Sequence, residues 1–157
     1  MNQADYDLLD GQLRALIGDE PDALAAAGNF VALLYDALDD VNWLGIYVLR
    51  GEELVLGPFQ GKPACVHIAL DEGVCGAAAS TMQTQRVADV RAFAGHIVCD
   101  PDSRSELVVP LVVHDRLVGV LDIDSPATRR FSAADQAGIE NLCDSFCRMQ
   151  EPRKDFI

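Results

Sequence analysis

Basic residues are scarce: 12 Lys and Arg stand against 25 Asp and Glu, for a formal net charge of -13 at pH 7. Phosphate backbones and anionic headgroups are gripped by Lys and Arg, so nucleic acid and anionic membranes are poor partners for this chain. The acidic balance draws in cationic ligand groups or simply keeps the chain in solution, and the second is the plainer reading. Long apolar runs are also missing, and the opening stretch MNQADYDLLDGQLRALIG is polar where an export signal is basic and then apolar. A cytoplasmic protein with no membrane span is expected. Neither CxxC nor HxxxH, two close ligand pairs typical of structural zinc sites, occurs. The cysteines number five, an odd count, and without an export signal they are expected to be reduced, so that any disulfide is transient.

What is present reads as one ordinary globular domain covering residues 1–157, half hydrophobic, with no repeat, low-complexity tract or linker. Tyr6, Leu9, Leu13 and Leu16 recur at steps of three and four, predicting a helix over 4–17 that stops at Gly18. A second helix is predicted from Pro21 to Leu38, with Ala27, Val31, Leu34 and Leu38 as its apolar stripe. Residues 42–49 and 53–59 form a hairpin. In its first strand Leu44, Ile46 and Val48 point one way and Trp43, Gly45 and Tyr47 the other, so both faces are buried and the second combines aromatics with a gap.

A short strand at 66–70, a short helix at 73–82 and an extended piece at 86–90 come next, then an aperiodic stretch over 91–105 that holds Cys99. A second hairpin pairs 107–113 with 117–124, and a last helix starts at Ser132, with Asp135 completing a capping-box-like start, and buries Ile139, Leu142, Phe146 and Met149. The fold class is therefore α+β: a largely antiparallel sheet of about six strands with the terminal helices packed together on one face.

Cys143 and Cys147 sit on the last helix and read as small buried hydrophobes. Cys65, Cys75 and Cys99 lie at loops and element ends. Cys75 falls in the first turn of a helix, where free N–H groups favour a thiolate, and Cys99 lies between His96 and Asp100 and near Arg104, where a protonated His96 or the Arg104 guanidinium can do the same. Composition and spacing do not choose between them. Cys65, Cys75, His96 and Cys99 form a competing metal set, disfavoured by their wide spacing, and no metal or other cofactor is expected.

Asp122 and Asp124 lie two apart on a strand, and hairpin pairing through 114–116 sets Glu106 almost opposite Asp124. A solvated turn explains Asp124 alone; three converging acids are harder to dismiss. Held together, like charges raise one another's pKa, so such a cluster can grip an ammonium and keep one carboxyl protonated near neutrality.

The stretches GPFQGKPAC, GVCGAAA, GHIVCDPDSRSELVVPL and GVLDIDSP resemble the free methionine-(R)-sulfoxide reductases, which are built on a GAF domain. The resemblance runs from Asn42 to Ser125. It implies a pocket on the sheet face away from the terminal helices, covered by loops and a short helix. It implies Cys99 as nucleophile, Cys65 as resolving thiol and Cys75 as a third, alternative resolver. It implies Glu106, Asp122 and Asp124 as substrate-holding acids and Trp43 against the substrate methyl; Glu106 or Asp124 is then expected to donate the proton, and Tyr47, on the same strand face as Trp43, to line the same pocket. Free methionine sulfoxide as substrate, thioredoxin as reductant and a homodimer through the helical layer follow from the same resemblance. Two other classes compete: a non-catalytic GAF sensor of a small molecule, and a thiol or zinc redox sensor.

Overall fold

The structure is a computed structural model, and it describes residues 1–95 and 99–150. Two helices, α1 (Gln3–Ile17) and α2 (Ala23–Ala37), precede the hairpin β1 (Trp43–Arg50) and β2 (Glu53–Gly61). Then come β3 (His67–Ala69), α3 (Gly73–Thr81), β4 (Gln85–Val87), the hairpin β5 (Ser105–Val113) and β6 (Arg116–Ser125), and α4 (Ala133–Gln150). The strands form one sheet in the order β3-β2-β1-β6-β5-β4, with each neighbouring pair antiparallel. The expected α+β class and antiparallel sheet are what the chain adopts, and no described helix is long and apolar enough to cross a membrane.

Local chemistry sets the boundaries. Asn2 and Asp5 close a capping box on α1, Asp22 accepts from the Ala25 amide to start α2, and Ser132 and Asp135 exchange side-chain bonds at the start of α4. Asp22 thus moves the start of α2 past Pro21, which lies before the helix. The β5–β6 turn places His114 and Asp115 at φ 50° and 59°, the paired left-handed geometry that matches the twist of a tight hairpin.

One face of the sheet carries the main core. Leu44, Ile46, Val48, Leu107, Val109, Leu111, Leu121 and Ile123 pack beneath α1, α2 and α4. Phe30 of α2 stacks on Phe146 of α4 at 4.4 Å between ring centroids. One expected stripe residue is corrected: Leu16 is 49% exposed and Ile17 fully buried, because from Leu13 the helix turns its next inward position four residues on, not three. Met149 is only partly buried against this core. Cys143 and Cys147 are buried in it, outside the disulfide.

The opposite face holds a smaller cluster of Trp43, Tyr47, Leu54, Ile68, Val108 and Val120, roofed by Val74, Cys75, Ala78 and Ala79 of α3. The gap at Gly45 has a physical cause. A Cβ there would lie 2.5 Å from the Trp43 ring and 2.6 Å from Phe59 Cβ, so glycine lets those two rings stack at 5.5 Å.

Candidate active site

The second face becomes polar at one end. Strand register puts Trp43, Asp124 and Glu106 side by side across β1, β6 and β5, with Gly45, Asp122 and Val108 on the neighbouring row. Alternation along each strand then aims all three carboxylates into the same space. They line a pocket with Tyr47, Ile68, the first turn of α3 and the Cys99–Ser103 loop; its empty space, open mouth included, is about 400 Å³. An adjoining recess adds Trp43, Pro63 and Ala64.

Glu106 and Asp122 are each only 6% exposed. Burial raises the pKa of Asp122 to about 6, against the opposing hydrogen bonding of Cys75 and Glu106. Burial, and then the charges of Asp122 and Asp124, push Glu106 well above the usual carboxyl range. Asp124 is driven the same way by burial, then by Asp122 and Asp100, with Ser103 opposing. The cluster therefore retains protons at neutral pH, with Asp122 the member most easily ionised.

Cys75 shows the opposite of its expected activation. The thiol lies in the first turn of α3, but it is 4% exposed, and burial, followed by the Asp122 and Glu106 charges, raises its pKa well above that of a free thiol. The partial charge of a helix end does not offset desolvation beside two acids.

Cys65 and Cys99 form a disulfide, their Cα atoms 5.6 Å apart. This gives the expected reduced chain a bridge between the two loops that cover the pocket. Both loops are tied down. Tyr47 Oη donates to the Cys65 carbonyl at 2.9 Å and Trp43 Nε1 to the Lys62 carbonyl at 3.0 Å, so the aromatics expected to line the pocket also hold the Cys65 loop from below. From the other side Lys62 Nζ pairs with Asp100 at 3.6 Å and with Asp102. Asn42 Nδ2 donates to Asp100 at 3.1 Å and to Ser103 at 3.2 Å, and Asp100 accepts from the Asp102 amide at 2.9 Å.

A family model described as GAF domain matches residues 22–147. The free methionine-R-sulfoxide reductase of Escherichia coli is 49% identical over 143 residues, covering 90% of this chain and 87% of that one. The fRMsr of Staphylococcus aureus in its reduced form superposes with a TM-score of 0.89 at 50% identity, covering 92% of this chain and 94% of that one. A GAF sensor candidate from Burkholderia vietnamiensis superposes with a TM-score of 0.90 at 56% identity, covering 93% of each chain. The chain belongs to the free methionine-R-sulfoxide reductases of the GAF family.

Within this family frame, the structure brings together every residue singled out from the sequence as a site candidate and described here: Trp43, Tyr47, Cys65, Cys75, Cys99, Glu106, Asp122 and Asp124. His96 lies outside the described residues. Arg104 gives its charge to Asp89, Nη2 to carboxylate 3.1 Å, so it is engaged away from the role of thiolate partner considered for it. Of the four groups weighed as a metal set, Cys65 and Cys99 are consumed by their disulfide. Sequence reasoning missed Asn42, Lys62, Asp100 and Ser103 as the frame of the two reductase loops. The run Asp100-Pro101-Asp102-Ser103 carries a turn signal, an aspartate bonding its own backbone two residues on, but nothing in it names Lys62 as partner.

Proposed function

We propose that the chain reduces free L-methionine-(R)-sulfoxide to methionine with its own thiols, the Cys65–Cys99 disulfide being the oxidised end of the cycle. One observation carries the reading: that disulfide borders a pocket walled by proton-retaining carboxyls. The Cys99 thiolate attacks the sulfoxide sulfur while Glu106 or Asp124 protonates the oxygen. Oxygen passes to Cys99 as sulfenic acid, the sulfoxide sulfur is reduced and methionine leaves. The Cys65 thiol condenses with the sulfenic acid, releasing water and forming the disulfide, which a thioredoxin-class dithiol reopens by exchange. Cys75, buried beside Asp122, is a secondary thiol in this scheme.

Asp122, the most readily ionised of the three acids, faces the substrate ammonium. Peptide-bonded methionine lacks that cation, which accounts for a free amino acid as substrate. The amides of Gly73 and Val74, at a helix start without a side-chain cap bond, offer donors for the substrate carboxylate. Trp43 and Tyr47 give the methyl end an apolar wall. A cytoplasmic homodimer acting on one domain completes the reading.

Turnover of free L-methionine-(R)-sulfoxide with a thioredoxin system tests this. Cys99→Ser is expected to lose all turnover and Cys65→Ser to stop after one, while Cys75→Ser retains most. An Asp122→Asn protein that still discriminates free from peptide-bonded sulfoxide as before removes the ammonium role. An inactive wild type returns the chain to the sensor reading.

A further inference from the structure

The pocket contains a second set of chemical groups with its own logic. Cys75 Sγ and one carboxylate oxygen each of Glu106 and Asp122 lie within 4.8 Å of one another, and all three residues are buried. Asp122 Oδ1 has no hydrogen-bond partner among the described residues, although its residue is 6% exposed and lines the pocket. A buried carboxylate oxygen without a donor is costly unless something positive meets it. One sulfur and two oxygens on a tetrahedral zinc lie about 3.3–3.6 Å apart, so the set needs a closure of at most about 1.5 Å to become three ligands. Three protein ligands with a fourth position for water is the pattern of an open rather than a closed site.

The donor chemistry selects the ion. A thiolate favours zinc or cadmium over magnesium and calcium, which prefer oxygen donors throughout. Cys75 stays outside the Cys65–Cys99 disulfide, so the set survives oxidation of the other two pocket thiols. The buried Cys143 and Cys147 lie in the core on the opposite face of the sheet, remote in the fold from this cluster.

We propose that Cys75, Glu106 and Asp122 bind one thiophilic divalent cation, Zn²⁺ or Cd²⁺, in competition with the substrate. The site itself is independent of the proposed reaction; the competition rests on that reading, because the same acids are assigned to methionine sulfoxide.

The test uses the full chain in its disulfide form, which cannot turn over, titrated with Cd²⁺ alone. The ultraviolet thiolate-to-cadmium band is expected to saturate at one ion per chain. It should vanish in Cys75→Ser, require at least about ten-fold more Cd²⁺ in Glu106→Gln or Asp122→Asn, and persist in a Cys143→Ser, Cys147→Ser double variant. Cadmium NMR of the unmodified protein keeps the proposal falsifiable if a variant misfolds: one sulfur ligand is expected, and two sulfurs would assign the ion elsewhere and overturn the site. Absence of the band, or a band unchanged in Cys75→Ser, also overturns it. Methionine sulfoxide is expected to displace the ion. A band that resists displacement overturns the competitive half of the proposal, and turnover of the reduced wild type then reports separately on the reaction itself.

Discussion

The two faces of the sheet are made from the same strands and are about equally buried, yet they are chemical opposites. On the helix-covered face Leu44, Leu107, Leu121 and Ile123 are all 0% exposed and wholly apolar. On the pocket face the alternate residues of those strands include Trp43, Glu106, Asp122 and Asp124. Burial on the first face stabilises the fold by removing apolar surface from water. On the second it raises carboxyl pKa values and so stores protons, at a cost in stability above the pH where those groups ionise. One strand can hold both because its side chains alternate, and the long helices α1, α2 and α4 press on only one side.

The contrast predicts opposite responses to substitution. Leu44→Ala on the core face should destabilise the protein by about 2–5 kcal/mol in urea unfolding, through lost apolar contact and an incompletely collapsed cavity. A change below about 1 kcal/mol would mean that this face is not the stabilising one. Gly45→Ala, next along the same strand but facing the pocket, should cost about 1–3 kcal/mol by forcing the Trp43 and Phe59 rings apart, with the loss of their stacking visible in tryptophan fluorescence. An unchanged protein would show that the aromatic platform yields freely.

Asp122→Asn should act in the other direction. With a folded pKa of about 6 against 3.8 for an ordinary aspartate, the native state binds more protons than the unfolded state between those values. Wild-type stability therefore falls as pH rises through that window, and is flat with respect to this group above it. The asparagine variant lacks that loss, so its stability relative to wild type should improve by on the order of 2 kcal/mol between about pH 4 and pH 7, as read from unfolding curves. A relative loss over the same range would mean that the carboxylate is stabilised rather than penalised by its surroundings.

The smallest effect concerns the loops. Lys62→Ala removes the ion pairs that join the Cys65 loop to the Asp100–Asp102 turn. Disulfide formation should slow several-fold, seen as more sulfenic acid trapped by a dimedone-type probe, with the first methionine released at the wild-type rate. Equal trapping in the two proteins would remove Lys62 as a loop tie.

Period-two alternation made both faces legible in the sequence, and hairpin pairing through 114–116 set Glu106 across from Asp124 as found. The resemblance, not the spacing, paired Cys65 with Cys99 among three eligible thiols. The misjudged setting of Cys75 shows the limit. Helix periodicity located the thiol in a first turn, but its state depends on what α3 packs against, and two buried acids decide it. Lys62 and Asp100 were hidden for a related reason: they are distant in the chain and exposed or turn-forming by composition, and only the folded loops bring them together.

The central claim is that a thiol cycle ending in Cys65–Cys99 runs in this acid-walled pocket. Mixing fully reduced protein with excess free L-methionine-(R)-sulfoxide, without an added reductant, tests it most directly when followed by mass spectrometry. The account predicts one methionine released per chain, together with a disulfide mapped to Cys65 and Cys99. No methionine, or a disulfide formed through Cys75 while Cys65 stays free, would contradict it.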